Sequence, residues 1–100
     1  MASAKPDMID VQNIGQPGKT YRRERVRYEA VRDAVLAVLS VRAQGLTFAE
    51  IKAAILPQLP DALFPDGATV GWWLKTVQLD LEAKGVIQRE AVTPLRLRKV

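Results

Sequence analysis

Apolar residues between positions 69 and 85 (TVGWWLKTVQLDLEAKG) recur at spacings of four, three and four: Val70, Leu74, Val77 and Leu81. That period places all four on one face of an amphipathic helix. Thr69 is positioned to cap its start through the side-chain oxygen, and Gly85 suits the left-handed residue just past its end. Lys84 favours the negative end of the helix dipole. An earlier stripe of Tyr28, Val31, Val35, Val38 and Leu39 predicts a first helix over about residues 24–41, ended by Gln44-Gly45. Between the two, Thr47-Phe48-Ala49-Glu50 forms a capping box. It opens a short helix whose Phe48, Ile51 and Ile55 share a face, and Pro57 stops it near Leu56.

Residues 57–68 (PQLPDALFPDGA) read as a long loop with Leu59, Leu63 and Phe64 as apolar anchors and a single turn near 61–64. Leu46 is placed for a one- or two-residue bridge to later strands. Two strands follow the last helix, at 86–90 and 95–99, joined by a tip at 91–94. In the second of them Leu95 and Leu97 face inward and Arg96 and Arg98 outward. Residues 1–18 read as a partly flexible arm ahead of a domain at 19–100, since Gly15, Pro17 and Gly18 mark turns. Ile9, Val11 and Ile14 give that arm the means to dock. Gly18-Lys19-Thr20 matches the end of a phosphate-binding loop, but Asn13 stands where the motif needs its first glycine.

Composition removes whole classes of chemistry. The chain of 100 residues has no cysteine and no histidine. Disulfides, thiolate nucleophiles, histidine bases and nearly every zinc site are excluded, and stability rests on packing. Asp61 and Asp66 sit in turn sequence, and Ser3 and Ser40 have no candidate base nearby. The chain therefore reads as a non-enzyme, with no catalytic, cofactor-binding or metal-ligating residues, no cofactor and no small-molecule substrate. The start MASAKPDM has no apolar signal core, and the longest apolar run, 34–39, is too short to span a bilayer. A cytoplasmic protein without a membrane partner is the expectation.

Charge adds two candidate surfaces. The net charge is +4, and it is unevenly spread: residues 19–32 hold six basic and two acidic residues, residues 86–100 four basic and one acidic. Arg22, Arg23 and Arg25 near the first helix, Lys75 on the third, and Arg89, Arg96, Arg98 and Lys99 on the final strands are the candidate nucleic-acid contacts. Base reading is poorly served, because Lys75 and Thr76 are the only polar readers on the third helix and Asp80 and Glu82 repel phosphate. Such binding is expected to be weak and largely independent of sequence. The other surface is apolar. Trp72, Thr76, Leu79 and Ala83 form a second stripe opposite the core stripe, and tryptophan is enriched at binding hot spots. Either the chain's own arm covers this stripe or a protein partner does, a second copy in a homodimer included. A protein-interaction module acting through the third helix is the leading reading, with nucleic-acid binding or a regulator-like role as the alternative.

Helix, brief strand, helix, helix, strand, tip, strand is the order of a winged helix. The class expected is mainly α with a small β-hairpin (α+β), three helices carrying a C-terminal wing of two or three strands. Leu81-Glu82-Ala83-Lys84-Gly85-Val86-Ile87 resembles the end of a winged-helix recognition helix entering its first wing strand. More narrowly, the chain resembles a family of short bacterial proteins known only as a domain of unknown function. The resemblance is carried by IGQPGKTYR at 14–22, LFPDG at 63–67, GWWL at 71–74, VQLDLEAKGVI at 77–87 and PLRL at 94–97. It implies the winged-helix-like fold and no particular activity.

Overall fold

The computed structural model describes residues 7–39 and 44–100. The fold is α+β, with three α-helices and two small antiparallel sheets among these residues. The first sheet is a hairpin of β1 (Met8–Gln12) and β2 (Thr20–Glu24). Part of the segment expected to form an arm is therefore a strand. Its register pairs Ile9 with Arg23 and Val11 with Tyr21, so these four share one face, while Asp10 and Arg22 share the other.

Helix α1 (Arg25–Val38) begins directly after β2 and ends three residues sooner than its stripe suggested. Leu39, at its C-terminus, is already extended at ψ 154°. Gly45 therefore does not terminate this helix. It lets β3 approach β5, since a Cβ there would lie 2.8 Å from the Leu97 carbonyl oxygen. Residues 40 and 41 of the expected helix, and Ser40 as a candidate, lie outside the described residues.

Leu46 makes the expected bridge. Strand β3 (Leu46–Thr47) pairs with β5 (Arg96–Lys99), and β5 pairs with β4 (Ile87–Glu90), in the order β3-β5-β4. Helix α2 (Phe48–Ile55) starts on the capping box. The Glu50 amide donates to Thr47 Oγ1 at 3.2 Å, and the Thr47 amide to Glu50 Oε1 at 2.8 Å. Beyond α2, Pro57 lies in a 3-10 turn, Leu56–Gln58. The Phe64 amide then closes a turn on the Pro60 carbonyl at 3.1 Å. That turn drops Phe64 into the core at 2% exposure.

Helix α3 (Val70–Ala83) packs against α1, α2, β1 and β4. Thr69 does not cap it through its side chain: the residue is left-handed at φ 64°, and its hydroxyl donates to the Ala68 carbonyl at 2.6 Å. The C-terminus is built as its sequence indicated. Gly85 lies at φ 74°. The Gly85 amide reaches the Glu82 carbonyl at 3.1 Å and the Val86 amide reaches Leu81 at 2.9 Å, a Schellman motif. Val70, Leu74, Val77 and Leu81 are all buried, in one cluster with Val31, Val35, Ile51, Ile55, Ile87 and Leu97. Val38 packs on this core while remaining partly exposed.

Candidate functional site

The second face of α3 is built over by the hairpin, but only along half its length. Val11 from the inner face of β1 is buried. The Gln12 amide donates to Asp80 Oδ1 at 2.8 Å, and the Ile14 amide to the Leu79 carbonyl at 3.3 Å. Leu79 and Ala83 are consequently half-buried beside the hairpin turn. Trp72, two turns earlier, is 53% exposed. The chain's own N-terminal segment thus covers the Leu79 end of the stripe and leaves the Trp72 end open.

What remains is a groove of about 230 Å³ between the hairpin and α3, with Tyr21 and Arg23 on one wall and Trp72, Lys75, Thr76 and Leu79 on the other. Arg23 organises it. Its guanidinium lies 5.3 Å from the Tyr21 ring centroid and 5.3 Å from that of Trp72. One of its amino groups donates to the Arg22 carbonyl at 2.8 Å. Trp73, one position on and therefore about 100° around the helix, is buried and meets Trp72 edge to face at 5.1 Å. The exposed indole is thus braced on two sides. Among the described residues, the groove lining includes two cations, Arg23 and Lys75, and no carboxylate.

Two carboxylates on α3 are buried, and neither was legible as buried. Asp80 is fully buried and accepts from the Gln12 amide, from the Tyr28 hydroxyl and from Lys84 Nζ at 2.9 Å. It ties β1, α1 and α3 together. Glu82 is 6% exposed and receives Arg89 in a fork, Nε at 2.6 Å and an amino group at 3.0 Å, with Gln78 Nε2 at 3.0 Å. Neither is the free phosphate-repelling charge that the sequence suggested. The available signals were local: Lys84 stands four residues after Asp80, and Tyr28 in an apolar stripe needs a partner for its hydroxyl.

Burial pushes the Glu82 carboxyl up, but the Arg89 fork and the Gln78 amide outweigh it and hold it below its ordinary value of 4.5. A carboxyl depressed in the folded state stabilises the fold above its unfolded pKa, and that contribution is lost as pH falls through the folded value. Denaturant midpoints should therefore fall on acidification below about pH 4.5. Glu50, held low by its hydrogen bond from Thr47, acts in the same sense. Glu82→Gln should flatten the acid limb without abolishing it. An unchanged limb would mean that the fork contributes nothing to folding.

The eight candidate nucleic-acid contacts do not form one surface. Arg89 is committed to Glu82. Arg25 pairs with Asp7 at 2.9 Å and Glu29 at 3.5 Å. Arg96 donates to the Gly45 carbonyl at 2.8 Å and lies 3.3 Å from Glu50. Arg98 and Lys99 lie on β5 opposite Gln88 and Ile87. Arg22 and Arg23 lie on opposite faces of β2, and of the eight only Arg23 and Lys75 line the groove. Among the described residues no group of three acidic side chains could hold a metal ion, and no helix is long and apolar enough to cross a membrane.

A family model for a family of unknown function, DUF6958, matches residues 8–97. The chain belongs to this family. The match opens on the first residue of β1 and closes within β5, so the DUF6958 unit includes the hairpin, the groove and all three helices. No curated protein and no solved structure matches this DUF6958 chain.

Proposed function

We propose that this DUF6958 chain is a non-enzymatic, winged-helix-like interaction module that binds another protein chain through the groove between the hairpin and α3. The helix and strand order, with β4 and β5 after α3 and β5 pairing back to β3 ahead of α2, supports the winged-helix reading. Two features weigh against insertion of α3 into a DNA groove. The α2–α3 connection is far longer than the three- or four-residue turn of DNA-binding helix-turn-helix units. The hairpin also stands on the face that such a helix presents, at Leu79 and Ala83.

The observation that carries the proposal is Trp72, half exposed in a groove that the chain's own hairpin walls but does not fill. A tryptophan held rigid by neighbours makes a strong contact at little entropic cost. An aromatic photo-cross-linking residue in place of Trp72, which keeps a ring in the groove, should capture protein in native cells, whereas the same residue in place of Val26 on α1, 52% exposed, should not. Equal capture at both positions, or none at 72, would remove the reading. Arg23 and Lys75 in the groove favour a second reading, weak nucleic-acid binding with little sequence preference. Adducts to nucleic acid at position 72 would select it.

A further inference from the structure

The groove has a second feature beside Trp72. Strand β2 pairs with β1 and with no other strand among the described residues. The Arg25 amide bonds the Asp7 carbonyl at 2.8 Å, and this fixes the phase of the hairpin ladder. Arg23 and Tyr21 face Ile9 and Val11 as hydrogen-bonded pairs, so the peptide groups of Thr20, Arg22 and Glu24 point away from β1. β1 lies against α3 through Val11 and Gln12, while Tyr21 and Arg23 on β2 are only half-buried. Apart from the Arg22 carbonyl, which accepts from the Arg23 guanidinium at 2.8 Å, the sheet therefore ends in an open edge beside the exposed indole.

We propose that the groove takes an extended acidic segment of a partner protein, added to β2 as a third strand. This rests on the reading of the groove as a protein-binding site. Main-chain bonds to the open edge would hold the segment. Alternate side chains would rest on Trp72, and carboxylates would meet Arg23 and Lys75. Charge selects this occupant. Among the described residues, the groove lining has two cations and no carboxylate. Acids on the neighbouring elements are engaged: Asp7 with Arg25, Glu24 with Arg27, Asp80 in the buried network, and Glu82, whose charge also acts on Lys75, with Arg89 and Gln78. Asp10 lies across from Arg22 on the outer face of the hairpin, away from the indole. A second copy of the chain is disfavoured, because a two-fold contact would set Arg23 and Lys75 against the same residues. A nucleic acid strand could use the cations and the indole but offers no amide ladder to an edge strand.

The test is selection from a random dodecapeptide display library on the full chain, with counter-selection on Trp72→Ala. Trp72 and Lys75 are exposed, so Trp72→Ala and Lys75→Glu should keep the fold, which circular dichroism checks. Enriched peptides should be acidic and rich in strand-forming residues. A synthetic winner should bind each variant at least tenfold more weakly, and should slow hydrogen exchange of the Arg22 amide at least tenfold. Trp72-dependent peptides that are basic or neutral, or that leave the Arg22 amide unprotected, would overturn this proposal and leave the groove reading standing. Acidic binders indifferent to Trp72→Ala, or no Trp72-dependent binders, would overturn it as well, while cross-linking at position 72 judges the groove reading separately. Displacement of the peptide by a tighter-binding twelve-nucleotide oligothymidylate would assign the groove to nucleic acid.

Discussion

Asp80→Ala should destabilise the fold by about 3–5 kcal/mol, the usual cost of leaving the partners of a buried charge without it. Asp80 is fully buried, and its two oxygens serve three donors on three elements. Its removal strands the buried Tyr28 hydroxyl, which without a partner costs about 1–3 kcal/mol, and the part-buried Gln12 amide, which adds less. Lys84, about a third exposed, can return to water and adds less. Small domains hold only about 5–15 kcal/mol in total, so the variant should sit near the unfolding threshold. Adding Tyr28→Phe should recover part of the loss, because it deletes one of the stranded groups. Denaturant midpoints of the two single variants and the double variant measure this directly. A loss below about 1 kcal/mol, within the ordinary range of surface changes, would show that Asp80 does not join the elements. Alkali probes the same contact. Burial and the Asp80 hydrogen bond hold the Tyr28 hydroxyl well above its ordinary value of 10.0. A raised acid stabilises the fold below its unfolded pKa, so stability should fall as pH rises past about 10.

Elements written in local chemistry were legible. The capping box of α2, the αL glycine after α3 and the one-face stripe of α3 each need only residues within a few positions of one another, and each is present. Phe64 was legible as an apolar anchor in a loop bounded by turn and proline signals, and Leu46 as a brief bridge from its place in the helix-strand-helix order. The hairpin was not. Its second strand, Thr20–Glu24, carries Tyr21 as its sole apolar residue, so its composition reads as the lead into a charged helix. Its strand character comes from pairing with β1, and β1 is held in turn by Asp80, 68 positions from Gln12. Asp80 and Glu82 were misjudged on the same ground. Helical periodicity sorts residues around one axis, whereas burial of these two is decided by where the hairpin and Arg89 arrive. Trp72 was placed correctly off the core stripe. Its stacking with Arg23 depends on the hairpin register and lay beyond any pattern within α3.

Deletion of residues 1–18 tests how far the domain depends on that hairpin, and a chain starting at Lys19 should lose cooperative folding or associate with itself. Deletion takes away β1 and leaves β2 unpaired. It removes Val11, 2% exposed, and burial of a valine contributes about 1.5–3 kcal/mol. It also removes the amide that Gln12 donates to Asp80, a hydrogen bond to a charged group of the kind that contributes about 1.5–3 kcal/mol. The ordering entropy of the deleted strand, about 1–2 kcal/mol for each residue fixed, is regained by omitting it, so the balance turns on what is uncovered. Leu79 and Ala83 would then join Trp72 in water, as one apolar stripe along α3. A small domain does not keep such a stripe exposed without seeking a partner for it. Sedimentation velocity across a range of concentrations should show the shortened chain shifting to larger species than the full chain at the same concentration. Restoring Val11 and the hairpin should reverse the shift. A shortened chain that melts as the full one does, at an unchanged sedimentation coefficient per unit mass, would mean that the hairpin only decorates α3. The groove beside Trp72 would then have no structural wall on that side.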